Sequence, residues 1–361
     1  ANLAMVYCNY DIGRMIVEEE QQGKLRADYG KKILQSLSKR LTERFGKGFS
    51  YRNLKLFRQF YLAYCPSYGN GQITSAKLEL PSNERIGQSV IAQSKKKVQK
   101  SIRQSPIAQS APIPLSKPEF TLSWTHYIHL MGVENPEARS FYEKESAKEH
   151  WDARWLGRQI HSSLYERLAL SRDKDTVMKL ATQGQTLEKP SDVLKSPIVL
   201  EFLGMEEKAC YTETTLESAI LDKMQRFLLE MGKGFLFEAR QRRFTYNDKS
   251  FFVDLVLYNR LLQCYVLIDL KAGELTHQDI GQMQMYVHYY DRCVKMDHEK
   301  PTIGILLCDK KDDAVVEMTL PDNENIYATE YSLYLPDAAL LRQKLREWIA
   351  EGTESCQTDH S

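Results

Sequence analysis

Residues 251–290 read FFVDLVLYNRLLQCYVLIDLKAGELTHQDIGQMQMYVHYY. An apolar run over 251–258 carries one acid, Asp254. A second run, 264–270, ends in Ile268-Asp269-Leu270-Lys271. The link between the runs is short, which predicts an antiparallel hairpin. Each run is almost wholly apolar, so both faces of the hairpin are expected in a core. Gly273 breaks the second strand, and a helical pattern begins near Thr276.

An acid inside a buried strand is costly unless it is paired or binds a metal. Asp269 and Lys271 are two apart and share one face of their strand. With Asp254 across from them, two carboxylates and one ammonium converge. This hard-oxygen donor set suits Mg²⁺ or Mn²⁺, held by Asp254, Asp269 and the backbone carbonyl of Leu270. Lys271 would orient or help deprotonate a water, or neutralise developing charge. The other reading of D-x14-D-x-K is a buried salt bridge between Asp269 and Lys271, with Asp254 at a strand end.

Working outward, Thr214 or Thr215 can cap a long helix over 216–231, which two glycines, Gly232 and Gly234, stop. Strands are expected at 235–246, 250–258 and 263–271, a helix at 279–292, then strands at 302–308 and 326–331 and a last helix at 337–350. The order is αβββαβ. Glu217 lies at the start of the first helix, where stabilising the helix dipole would be reason enough for an acid. Gln282 and Tyr286 are four apart and share a helical face. Arg240 and Gln241 lie on the first strand, where either could meet a phosphate oxygen; alternation does not decide which.

The hairpin D…D-x-K followed by Q-x3-Y resembles the PD-(D/E)XK nuclease superfamily. Leu216-Glu217, Phe227 to Glu230, Gly232 to Phe235, Arg240-Gln241, Asp254-Leu255, Leu270-Lys271 and Gly281 to Met283 resemble, more closely, the bacterial YhcG-type nucleases over nearly the full length. Two departures stand out: Asp269 where relatives usually carry Glu, and a long polar insertion in the N-terminal half. The resemblance implies a metal-dependent hydrolase of phosphodiester bonds. In it Glu217 is the first-helix acid near the metal, and Gln282 and Tyr286 border the site beside Asp254, Asp269 and Lys271.

The N-terminal half reads as helical. Residues 10–20 and 31–45 carry apolar positions at helical spacing, Gly46 and Gly48 follow, and Ser50 can cap a helix from Tyr51. Helix, short turn, helix is a helix-turn-helix outline, winged-helix-like by the resemblance. Its polar side offers Arg52, Asn53, Lys55, Arg58 and Gln59, side chains that meet phosphates and base edges. From Lys31 to Tyr64 nine Lys and Arg face a single acid, Glu43. An ordinary helical hairpin with a solvated basic face is the other reading.

The expected fold class is therefore α+β and multidomain. A helical domain, 1–175, is interrupted by a disordered polar insertion at 66–118. A linker follows at 176–197, then a restriction-endonuclease-like domain at 198–352 and a disordered tail at 353–361. Within the helical part, helices are expected at 137–151 and 155–170. His126, His129 and His161 read as structural.

Formal net charge is +1, so any nucleic-acid surface must come from local clustering. Seven scattered Cys without a C-x-x-C pair suggest reduced thiols in a cytoplasm and speak against zinc. No apolar run is long enough for a membrane span, and no signal peptide is visible, although the true start can lie before Ala1. The expected partner is nucleic acid, DNA ahead of RNA, with homo-oligomerisation open. A catalytically inactive nuclease fold, serving as a DNA-binding or assembly subunit, is the alternative function.

Overall fold

The computed structural model describes residues 2–22, 27–65, 118–172, 174–205, 211–311, 313–320 and 325–355. Most of the polar insertion and the last six residues lie outside them, so the expectations for 66–117 and 356–361 are not addressed. The chain divides into two compact units, 1–124 and 125–361.

In the first unit, α1 (Leu3–Gln22), α2 (Ala27–Phe45) and α3 (Tyr51–Tyr64) are joined in order, the last two through a single tight turn, Lys47–Phe49. Ser50 caps α3 as expected, its side chain accepting from the Asn53 N–H. Ile16, Leu34, Leu54 and Phe57 form a small core. A Cβ on Gly13 would meet the Phe57 carbonyl oxygen at 2.0 Å, so the close approach of α1 to α3 requires glycine there. The helix-turn-helix path is present, but no strand follows it among the described residues of this unit, so no wing is seen there.

The second unit opens with five short helices: α4 (Trp124–Met131, whose first residue belongs to the first unit), α5 (Pro136–Lys148), α6 (Ala153–His161), α7 (Leu164–Leu170) and α8 (Lys174–Gln183). The single helix expected at 155–170 is broken. Ser163 takes a left-handed conformation at φ 52°, and the buried Arg167 reaches back to the Ser162 carbonyl at 2.8 Å. His126 and His161 bond backbone carbonyls, those of Trp151 and Gly157.

The segment expected as a linker, 176–197, is folded into this unit. Leu180, Val193 and Lys195 are buried, and Arg172 pairs with Asp192 at 3.5 Å. Of its charged residues Asp192 and Lys195 are buried, while Lys179, Glu188 and Lys189 are exposed.

The remainder is β1 (Ile198–Val199), α9 (Glu213–Asp222), α10 (Met224–Met231), β2 (Phe235–Tyr246), β3 (Lys249–Asn259), β4 (Cys264–Glu274), α11 (His277–Tyr289), β5 (Ile303–Lys310), α12 (Asp313–Thr319), β6 (Ile326–Ser332) and α13 (Ala338–Ser355). The six strands form one sheet in the order β1-β6-β5-β4-β3-β2. The pairs β2–β3 and β3–β4 are antiparallel, and β4–β5, β5–β6 and β1–β6 are parallel. The αβββαβ order stands, with β1 as an unforeseen short edge.

The expected long helix is two. It starts at the cap Thr212 rather than Thr214 or Thr215, and it breaks at Lys223, whose ammonium donates to the Phe202 and Leu203 carbonyls. Both sheet faces are covered. Leu216, Ile220 and Phe227 pack on Leu255, Leu257, Ile268 and Ile305. Ile280, Met283 and Val287 pack on Val256, Leu267 and Leu306. A Cβ on Gly304 would come within 2.8 Å of the Met283 sulfur, so α11 sits hard against β5.

Candidate active site

The β3–β4 ladder runs from Asn259↔Cys264 to Leu255↔Ile268 and stops. One step further, Asp254 stands opposite Asp269. Instead of a backbone carbonyl, the Asp254 carboxylate takes the next amide: the Leu270 N–H donates to its Oδ2 at 2.8 Å. The side chain thus enters the space where the two strands part. A strand residue presents its N–H and C=O on the same edge, so the Leu270 carbonyl lies on the Asp254 side as well.

Asp269 is 3% exposed. Burial first, and the Asp254 charge second, push its carboxyl up to about 7, against the opposing pull of Lys271. Lys271 lies 2.9 Å from Asp269 Oδ2 and 3.3 Å from Asp279 Oδ1. Burial alone would lower this lysine, but Asp269 outweighs it and holds the ammonium above its ordinary value. Burial and the facing Asp254 charge thus make ionisation of Asp269 costly. Despite the ion contact, Asp269 Oδ2 makes no directed hydrogen bond.

Gln241 decides the question that strand alternation left open. At φ 43° it turns out of the regular strand, and its Nε2 donates to both Glu217 (2.8 Å) and Asp254 (2.9 Å). Burial raises the Glu217 pKa; the Gln241 bond opposes this and Asp254 adds to it. Glu217 lies in the second turn of α9, closer to the other acids than a dipole-stabilising residue need be. Arg240 is exposed and acts on Glu217 only through its charge.

Gln282 donates to the Tyr286 hydroxyl on α11. Tyr286 is fully buried, and burial, then Asp269, push its hydroxyl up to about 12. Asp279, which sequence reasoning missed, closes the capping box of α11: its Oδ2 accepts from the Thr276 N–H at 2.9 Å while Oδ1 faces Lys271. Burial would raise Asp279, yet the Thr276 bonds and Lys271 hold it below its usual range. Thr276-x2-Asp279 is a capping pattern legible in the sequence; what it did not reveal is that the same carboxylate reaches Lys271.

Among the described residues, no three His, Cys, Asp or Glu side chains gather closely enough to cage an ion alone. Two facing carboxylates, one with an oxygen lacking a directed hydrogen bond, beside a carbonyl edge nevertheless fit a hard cation that keeps most of its water. Asp254, Asp269 and the Leu270 carbonyl are the groups that could hold it.

Residues 191–346 match the family described as "YhcG PDDEXK nuclease domain", and residues 1–167 match "DUF1016 N-terminal domain". A relative from Escherichia coli (strain K12), named "Putative nuclease YhcG", is 36% identical over 350 residues, covering 95% of this chain and 87% of its own length.

The chain belongs to the YhcG family.

Two solved structures also align over parts of this YhcG-family chain. For "crystal structure of a repair endonuclease from Pyrococcus abyssi" the identity is 18% and the TM-score 0.24, over 35% of this chain and 49% of that one. For "Structure of EndoMS-dsDNA2 complex" the identity is 16% and the TM-score 0.26, over 37% and 49%. The chain thus spans about half the length of each.

The N-terminal candidates of this family member are unequally available. Arg58 pairs with Glu20 at 2.7 Å, Asn53 donates to the Gly48 carbonyl at 2.9 Å, and Lys55 sits 4.9 Å over the Tyr51 ring. Gln59 is half-buried, and Arg52 is exposed. The basic bias of the sequence counted charges without seeing that some already have partners within the unit.

Proposed function

We propose that this YhcG-family chain is a divalent-metal-dependent nuclease that hydrolyses phosphodiester bonds, with DNA as its substrate. The observation that carries the reading is Asp254 facing Asp269 with Lys271 2.9 Å away, at the point where β3 and β4 part. Asp254, Asp269 and the Leu270 carbonyl would hold Mg²⁺ or Mn²⁺. When bound, the cation supplies a nucleophilic water at neutral pH and relieves charge on the scissile phosphate.

The chain's own groups do the rest. Lys271 stays protonated, so it donates a hydrogen bond to the attacking water or the developing phosphorane oxygen rather than abstracting a proton. Asp279 and Asp269 fix the Lys271 ammonium from two sides. Gln241 keeps Glu217 within reach of Asp254. Arg52 and Lys55 in the N-terminal unit contribute phosphate attraction.

The test is cleavage of plasmid and linear DNA, and of RNA, with Mg²⁺ or Mn²⁺ and with chelator, for wild type and Asp254→Ala. Metal-dependent DNA cleavage lost in the variant is expected. Binding of DNA in chelator without turnover in any metal would instead favour an inactive nuclease-fold binding subunit.

A further inference from the structure

Beyond Leu255↔Ile268, β3 has no partner in β4, but its pairing with β2 continues to Tyr246↔Lys249. The ends of β2 and β3 thus form a two-stranded ribbon that starts at Gln241 and Asp254 and runs away from the sheet. One face is anchored: Phe244 stacks on Tyr289 at 4.1 Å and on Phe251 at 5.4 Å. The opposite face is open. Arg243 and Phe252 are cross-strand partners, so their side chains stand together on it.

Phe252, on this face, is 47% exposed; Tyr246, near the tip, alternates onto the face of Phe244. Arg243 donates to the Ser250 hydroxyl at 2.8 and 3.2 Å, which fixes its guanidinium beside the ring. Arg242 and Lys249 are exposed on the Phe244 face of the ribbon, Arg240 lies just before it, and Asp248 is at the turn.

Charged residues on an edge strand are a common guard against aggregation. That would explain the cations but not the Phe252 ring left in water beside Arg243. Nor does a second copy of this chain suit the surface, because a two-fold contact would bring the same cations face to face. An unpaired nucleic-acid strand suits both features: its phosphates match the cations, and only an unpaired base has a face free to stack on an exposed ring.

We infer that the β2–β3 ribbon is a landing surface for single-stranded nucleic acid, with Arg243 on a phosphate and Phe252 under a base, leading the strand to Asp254. This deepens the nuclease reading and rests on it for the strand's destination, while binding to the ribbon is measurable without catalysis.

The experiment is fluorescence anisotropy on the full chain in chelator, with a short labelled oligodeoxynucleotide and its duplex, across a salt series. Wild type should prefer the single strand. Phe252→Leu should weaken single-strand binding roughly five- to a hundredfold, the range expected for one lost stacked base, with duplex binding nearly unchanged. Phe252→Trp should restore it. Arg243→Ala should reduce the salt slope by about 0.7, one phosphate on a single strand. Thermal melts should be unchanged, since both side chains are exposed.

Unchanged affinity and slope in both leucine and alanine variants would overturn the inference. So would equal losses for duplex and single strand, or a fall in oligomer mass on sedimentation of Phe252→Leu, which would make the ribbon a contact between copies. Because binding is read in chelator, ribbon variants that bind as wild type while wild type cleaves sink this inference alone. Absent cleavage with ribbon-dependent binding sinks only the nuclease reading.

Discussion

Replacing Asp269 by Asn separates a strained metal-ligand carboxylate from a salt-bridge partner. In the metal-free protein the Asp269 carboxyl, at about 7, lies well above its ordinary 3.8. A folded-state pKa above the unfolded one means that the native state binds the proton more tightly. The contribution of this group to stability is therefore greatest at low pH, falls as pH rises from about 3.8 towards 7, and levels off above. The interval corresponds to about 4 kcal/mol at about 1.36 kcal/mol per pH unit, an upper bound because the Asp269 carboxyl interacts with several charges at once.

Asn mimics the protonated acid, can donate to Asp254, and leaves Asp279 as a partner for Lys271. Asp269→Asn should then melt higher than wild type in chelator near pH 8, by up to about 10 °C for a unit of this size. The difference should shrink towards pH 5. Added Mg²⁺ should raise the wild-type melting point and leave the variant unmoved. The assay is calorimetry across pH with and without metal. A variant that melts several degrees below wild type at pH 8 in chelator would refute the reasoning, because the Lys271 ion pair would then outweigh burial and carboxylate repulsion.

Lys271→Ala should abolish most cleavage through turnover while metal and DNA affinity persist, as single-turnover kinetics beside binding isotherms will read. Arg167→Met should cost roughly 3–5 kcal/mol in a denaturant melt, because it strands the buried Glu230 that Arg167 holds at 2.6 Å. In the N-terminal unit, Arg52→Ala with Lys55→Ala should lower the salt slope of duplex binding by about two, and adding Arg58→Ala should change it little, since Glu20 already neutralises that arginine.

The strands and the Asp254–Asp269–Lys271 convergence were legible because they depend on period two and short-range register. The apolar runs place both strands in a core, and the short link sets Asp254 opposite Asp269. What escaped reading depends on long-range partners. Arg167 looks like an ordinary helix residue until Glu230 meets it from 63 positions away. Lys195 reads as part of a charged linker, yet it is buried against the Glu230 carbonyl, and burial pushes its ammonium down to about 8. Gln241 could not be told from Arg240, because a left-handed residue breaks the alternation on which the choice would rest.

These long-range partners also explain where the working end of the sheet lies. Around Glu230, Arg167, Arg158, Lys195 and the Val199 N–H converge on one carboxylate or its carbonyl, although Glu230 Oε2 has no directed hydrogen bond. Such a network is costly to desolvate and tolerates no missing member, so it ties the helices of this unit to α10. At Asp254 the backbone pairing itself changes. The ladder is cut short, a side chain stands in for a backbone acceptor, and Asp269 keeps an oxygen without a directed hydrogen bond. On the sheet face that carries Leu267 and Leu306, α11 packs tightly against Gly304 of β5, which fixes β4 and β5 beside this opening. Packing away from Asp254 thus holds the strands whose parting sets its carboxylate opposite Asp269.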